Sequence, residues 1–342
     1  MQKFKSPMQE EHGAFMLRPR ISQGVGHGHL CARNYRRLIS MLGTRRSSTP
    51  ASSAYVRSSA YVRWFAGLGK MSALLGLVAC AGRTPPPSGP AELNATLFHQ
   101  LSAEYRAVVQ HVFFAAEAQL DGRLADADAS ALDEATDVAD KPPAIIVDVD
   151  ETMLDNSPWQ VRAMRDGTAY PDGWAQWCEE ASAKALPGAV EFAQLVASKG
   201  VMVFYVTNRD ASLDEATARN LAAEGFPMAA GVDVVLTKNE RPEWGSDKTS
   251  RRAYVAAEFR VLMLLGDNLG DFVGDEYTRL DNKGRRDAVD RFAGHWGLDW
   301  FMVPNSLYGG WSQAAVGYRR GLGKAGELRR KLRALDDGRG GD

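Results

Sequence analysis

The sequence predicts an α/β fold, a parallel sheet covered by helices. Three observations predict it. Short apolar runs rich in β-branched residues recur along the chain, helical periodicities fill the stretches between them, and the carboxylates and hydroxyls able to do chemistry follow the runs directly. Strands alternating with helices make a parallel sheet. Such sheets carry their sites in loops beyond the carboxyl ends of the strands.

Residues 91–120 place Leu93, Leu97, Leu101, Tyr105, Val108, Val109, Val112 and Phe113 at the spacing of an amphipathic helix. A polar, Asp/Ala-rich stretch runs on to Lys141. Residues 144–149 follow two prolines as a continuous apolar run, which suits a strand buried on both faces. Residues 201–206, 232–236 (weaker) and 261–265 read as further strands, and another lies near 300–303. Helical patterns at 188–199, 213–224 and 246–259 connect them.

Charge is unevenly spread. Residues 1–63 hold eleven Lys/Arg against two Asp/Glu, whereas residues 64–342 hold thirty against forty. The acidic body is a poor match for a nucleic acid polymer, which is excluded as a partner. Among the three cysteines there is no Cys-x-x-Cys pair, and the six histidines form no His-Glu-x-x-His helix.

Arg63 and Lys70 flank a short apolar stretch, Met71 to Ala79, too short to span a bilayer and shaped like a secretory signal. It ends in Leu77-Val78-Ala79-Cys80, which resembles a bacterial lipobox and implies acylation of Cys80. Residues 64–80 are thus expected to be a lipoprotein signal peptide, and the Pro-rich residues 81–91 a stiff tether. Residues 1–63 include the tandem repeat 52–57 and 58–63. They are read as a doubtful extension, disordered or upstream of the true start. The expected location is the cell envelope, anchored by lipid, with Ala81 after the cysteine leaning to an outer membrane. Residues 92–322 are expected to form the main folded body and residues 323–342 a charged tail.

The chemistry gathers where the fold class places it. The first strand ends in Asp148 and Asp150, which point the same way on extended backbone, so one can attack while the other handles a proton. The second ends in Thr207, Asn208 and Arg209, the fourth in Gly266, Asp267, Asn268 and Asp271, and Lys248 opens the preceding helix. Carboxylates packed together repel, and a hard divalent cation with oxygen ligands relieves this. A phosphoryl substrate would be held by that cation, Lys248, Thr207 and loop N–H groups, so the set fits phosphoryl transfer through an aspartyl-phosphate.

Four stretches carry a family resemblance: DVDETMLDNS at 148–157, FYVTNR at 204–209, LGDNLGDF at 265–272 and VPNSLYGGW at 303–311. LPGAVEF at 186–192 and Asp247-Lys248 add to it. The chain resembles the haloacid dehalogenase superfamily and, within it, the class C bacterial acid phosphatases typified by outer-membrane lipoprotein e, over roughly residues 95–320. The departure is Val149, where leucine is common. The resemblance implies a Rossmann-like parallel sheet with helices on both faces and a smaller, mainly helical cap from the N-terminal helix and about 154–186. It makes Asp148 the nucleophile and Asp150 the general acid, then base. Asp148, the main-chain carbonyl of Asp150 and Asp267 would hold Mg2+, with Asp271 nearby, and Thr207, Asn208 and Lys248 would surround the phosphate. Trp174 and Tyr308 would clamp an aromatic leaving group, so a small phosphomonoester, favourably a nucleoside 5′-monophosphate, is the expected substrate. An acidic optimum is expected because Asp150 must be protonated to donate. Trp177 is open between cap core and substrate contact, while Trp159, Trp311 and His295 look structural and Cys178 looks like a buried thiol. A homodimer is admitted as a partner. The competing reading is an inactive ligand-binding lipoprotein. A serine hydrolase is excluded for want of Gly-x-Ser-x-Gly.

Overall fold

The computed structural model describes residues 92–338. The expectations for the basic head, the signal segment, Cys80 and the Pro-rich tether lie outside the described residues.

The N-terminal helix comes as two. Helix α1 spans Leu93–Leu101 and α2 Ala103–Ala125, broken at Ser102, whose backbone is extended and whose hydroxyl accepts from the Tyr105 amide at 3.0 Å. The break changes which face is covered. In α2 the predicted residues Tyr105, Val109 and Phe113 are buried, together with Ala116 and Leu120. In α1 the buried residues are Thr96 and His99, and the leucines face outward. Helix α1 packs on the cap helix α3 (Ser157–Asp166), while α2 packs on the main sheet.

That sheet begins with β1 (Pro143–Val147). The chain then makes a two-stranded hairpin, β2 (Leu154–Asp155) with β3 (Lys184–Ala185), which brackets α3 and α4 (Trp174–Glu180) and forms the base of the cap. It continues through α5 (Ala189–Ser198), β4 (Met202–Asp210), α6 (Asp214–Glu224), β5 (Val235–Lys238), α7 (Thr249–Glu258) and β6 (Arg260–Gly266). Short helices α8 (Asp275–Thr278) and α9 (Asn282–Arg291) lead to β7 (Trp300–Met302). The five long-range strands lie in the order β5-β4-β1-β6-β7, all parallel. Helices α2 and α5 pack together over β4, β6 and β7, and α7 lies against β4 and β6. The order reverses direction at β1, which is the switch point where parallel sheets bind ligands.

The sheet interior is apolar, as the continuous runs require. Every residue of β6 is buried, and so are Ala144 to Val147 of β1. After β7 come α10 (Gly310–Ala315) and α11 (Gly323–Arg333), the latter a regular helix within the charged segment 323–342.

Candidate active site

Strand β1 delivers Asp148 to the carboxyl edge of the sheet, where its amide bonds the Leu265 carbonyl of β6 at 2.9 Å. The next residues turn back tightly: the Met153 and Leu154 amides both bond the Val149 carbonyl, at 2.9 and 2.8 Å, and Glu151 has a positive φ of 60°. This turn holds Asp148 and Asp150 on one rim. Strand β6 brings Asp267 beside them, and a capping box closes the following turn: Asn268 accepts from that turn, and the Asn268 amide donates to Asp271 Oδ2 at 2.8 Å. The approach depends on Gly266. A Cβ there would lie 2.3 Å from Asp271 Oδ2, so no side chain fits while Asp271 keeps its place.

One oxygen from each of Asp148, Asp267 and Asp271 falls within 4.8 Å of the others, a cluster that could hold a metal ion. Lys248, the residue capping α7, is buried among them. Its ammonium donates to Asp148 Oδ1 and, at 2.6 Å, to Asp271 Oδ1. The electrostatics are those of crowded buried charge. Burial raises the Asp148 carboxyl to about 7, with Asp271 and Asp150 adding to the shift and Lys248 opposing it. Burial, then Asp148 and Asp271, push Asp267 well above the usual carboxylate range. Burial works against the Lys248 ammonium, but Asp148 and then Asp271 outweigh it and hold its pKa above the ordinary lysine value. A positive charge is therefore required between these acids, and oxygen-only donors at this separation suit a hard divalent cation.

Asp150 belongs to a different constellation. Its side chain stands outside the three-carboxylate cluster and is held by donors on one oxygen. Oδ1 accepts from Asn156 Nδ2 and Arg209 Nε, both at 2.9 Å, and Arg209 Nη2 lies at 2.8 Å. Oδ2 meets only the Thr207 hydroxyl, at 3.2 Å. The oxygen nearer Thr207 is thus the one with capacity to exchange a proton. Arg209 is buried and also reaches Asn156 and Thr217, each at 3.3 Å, while its guanidinium sits 5.7 Å from the Trp174 ring centroid.

Strand β4 continues through Asp210, further than the predicted end at 206, with a register irregularity after Val206. Thr207 is buried. Asn208 is exposed, and its amide is committed elsewhere: it donates to the Ser246 carbonyl at 3.0 Å and accepts from Arg251 at 2.6 Å. Through these bonds Asn208 ties the end of β4 to the segment leading to Lys248. Arg251 also donates to the Thr207 carbonyl, and Arg252 holds the Gly270 and Asp271 carbonyls at 3.0 and 3.1 Å. Spaced three and four residues from Lys248, both arginines share its helix face, Arg251 holding the end of β4 and Arg252 the turn after β6.

The aromatic residues divide. Trp174 is half-buried in a cluster with Trp159, 5.2 Å between centroids, and Tyr170, 6.1 Å. Trp177 is cap core, its indole donating to Asn156 Oδ1 at 2.7 Å. Tyr308 reaches the site through its hydroxyl, which donates to the buried Glu151. Burial, with Asp150 and Asp267, holds the Glu151 carboxyl well above its usual range. The neighbouring Asn305 donates to Asp267 Oδ2 at 2.6 Å. Arg209, Glu151, Asn305, Arg251 and Arg252 were not singled out as functional residues from sequence. His295 lies between Asp299 and Asp133 and stacks on Trp300, a structural role, and burial pushes the Cys178 thiol up to about 12.

Comparison with known proteins agrees with this geometry. Residues 84–311 match the family model described as HAD superfamily, subfamily IIIB (acid phosphatase). The fold superposes on the class C acid phosphatase from Bacillus anthracis at 32% identity and a TM-score of 0.63, covering 72% of this chain and 96% of that one. The same Bacillus anthracis enzyme with tungstate bound matches at 32% identity and 0.62, with the same coverage.

Proposed function

This chain belongs to the acid phosphatase family of the HAD superfamily, subfamily IIIB, and is a hydrolase; we propose that it is magnesium-dependent, works through an aspartyl-phosphate on Asp148, and acts on nucleoside 5′-monophosphates at the cell envelope. The observation that carries the reading is the gathering of Asp148, Asp267 and Asp271 around the Lys248 ammonium at the switch point of the sheet.

Asp148 attacks the phosphorus, forming the acyl-phosphate bond as the ester P–O bond breaks. Asp150 gives its proton to the departing oxygen through Oδ2, then takes one from the water that cleaves the acyl-phosphate. Lys248 and Thr207 hold phosphate oxygens. Asp148, Asp267, Asp271 and the main-chain carbonyl of Asp150 would hold magnesium, which would supply the positive charge that lets anionic substrate and anionic nucleophile meet. That the relative from Bacillus anthracis takes up tungstate is in keeping with an oxyanion site here. Trp174, packed on Arg209 and half-exposed, offers a ring for the leaving group. Acylation at Cys80 would hold the enzyme to a membrane, and no helix among the described residues is long and apolar enough to cross one.

The experiment is hydrolysis of p-nitrophenyl phosphate with chelator and with magnesium restored, followed by a panel of 5′-nucleotides, 3′-nucleotides and sugar phosphates. Magnesium dependence, an acidic optimum and preference for 5′-nucleotides are expected. Activity indifferent to chelator, or a flat profile into alkaline pH, would overturn the reading.

The carboxylate cluster also predicts a pH-dependent effect of magnesium on stability. Asp148 titrates at 3.8 when unperturbed and at about 7 in the metal-free fold. The native state therefore holds a proton that the unfolded chain has released, and stability from this group falls as pH rises from about 4 to about 7. Asp267 shifts in the same direction. Magnesium competes with those protons, so its stabilisation should be larger at neutral pH than at pH 5 or so. Thermal melting with and without magnesium at the two pH values reads this, and an equal shift at both would contradict it.

A further inference from the structure

Helix α11 carries a surface chemistry that the active site does not use. Its eleven residues hold Lys324, Arg329, Arg330, Lys331 and Arg333 against one acid, Glu327, which is paired to Lys331 at 2.7 Å. Arg319 and Arg320 precede it, and Asp336 and Asp337 close the segment. Leu328 and Leu332 lie four residues apart on one face of the helix, and Leu335 follows just past its end. All three point outward, with exposures of 54, 59 and 70%. The half-buried positions are Gly326, Arg330 and Lys331, and no residue of the helix is fully buried. The helix thus leans on the body with its polar side and shows its leucines to solvent, the reverse of a helix docked for stability.

We propose that α11 is a docking surface for an anionic lipid bilayer, with the leucine stripe in the headgroup–acyl boundary and the exposed Lys324 and Arg329 against lipid phosphates. Charge argues for this occupant. The chain from residue 64 onward is acidic overall, forty Asp/Glu against thirty Lys/Arg, so α11 reverses the local sign on a body that anionic surfaces would otherwise repel. Nucleic acid would match the basic residues but not a row of leucines, whereas a lipid surface uses both. At about 1.5 Å per residue the helix is far too short to span a bilayer, so it lies in the interface plane. This contact is independent of acylation at Cys80 and would fix how the enzyme faces the membrane.

The test uses the full chain carrying Cys80→Ala, so that no acyl chain contributes. The chain is sedimented with equimolar phosphatidylcholine–phosphatidylglycerol vesicles or with pure phosphatidylcholine vesicles. Binding to the anionic vesicles alone, weakened by added salt, is expected. Leu328→Ser/Leu332→Ser and Lys324→Gln/Arg329→Gln should each cut partition by roughly tenfold or more, with hydrolysis of p-nitrophenyl phosphate in solution unchanged. No binding, equal binding to both vesicles, or variants that partition like the parent would overturn the proposal. So would a self-association abolished by the leucine substitutions, which would assign the stripe to a second copy. A failure of the phosphatase reading is seen separately, as absent hydrolysis in every variant.

Discussion

Asp148→Asn is expected to abolish turnover, with kcat falling by roughly 10⁴-fold or more, while the protein stays folded. The amide is isosteric with the carboxylate, so packing around this buried position is kept, but its oxygen is too weak a nucleophile to form the bond to phosphorus. The electrostatic argument gives a second expectation. Asp148 is one of three crowded buried acids and is held against its own ionisation by burial. Lys248 retains Asp271, so the substitution leaves no ammonium stranded. The metal-free variant should therefore melt no lower than the parent at neutral pH, and higher if repulsion dominates. Two measurements decide the matter. Hydrolysis at saturating substrate should be lost, and an acid-quenched reaction with phosphorus-labelled substrate should leave label on the parent chain and none on the variant. Label on both would make Asp148 a metal ligand only, with the nucleophile elsewhere.

Much of the fold was legible because its strands are buried on both faces. Residues 144–149 and 261–265 stood out as unbroken apolar runs, and the structure places β1 and β6 there as central neighbours. Where polar residues enter a strand, the boundary was lost. Strand β4 runs on through Thr207, Asn208 and Arg209, because Thr207 and Arg209 find partners inside the fold and need not leave it. Strand β5 moved towards Lys238, and the Thr237 hydroxyl meets Glu240 at 3.0 Å. The α1 stripe misled for another reason: the apolar spacing continues across Ser102, but the extended backbone there turns the two helices to different neighbours.

Asp148 and Asp267 were legible because each directly follows a strand, a position that sequence spacing fixes. Their supports were not. Glu151 and Asn305 bond residues 157 and 38 positions away, and a lone Glu or Asn carries no local mark of such a partner. Arg251 and Arg252 did carry one, since they lie one turn after Lys248 on the same helix. The same spacing rule applied to Leu328 and Leu332 would have revealed α11.

Arg209→Met should slow hydrolysis in proportion to how much the leaving group needs a proton. Arg209 places two donors on Asp150 Oδ1, and Asn156 a third, which fixes the carboxyl and leaves Oδ2 for transfer. Methionine keeps much of the volume beneath Trp174 but removes both donors, so Asp150 can rotate and its proton is no longer aimed. A nucleoside 5′-alkoxide is a poor leaving group and should lose about 10²-fold in kcat, within the range that positioned general acids contribute. The p-nitrophenolate ion departs with little protonation and should lose much less. Stability should also drop, by about 2–4 kcal/mol, because a largely buried carboxylate loses its ionic partner, so rates must be compared on folded protein at a temperature below both melts. Arg209→Lys should recover part of the alkyl-ester rate, since it restores the charge without the planar fork. A purely structural arginine would depress both substrates by one factor. Equal losses on the two esters would therefore remove Arg209 from proton transfer and leave it as packing beneath Trp174.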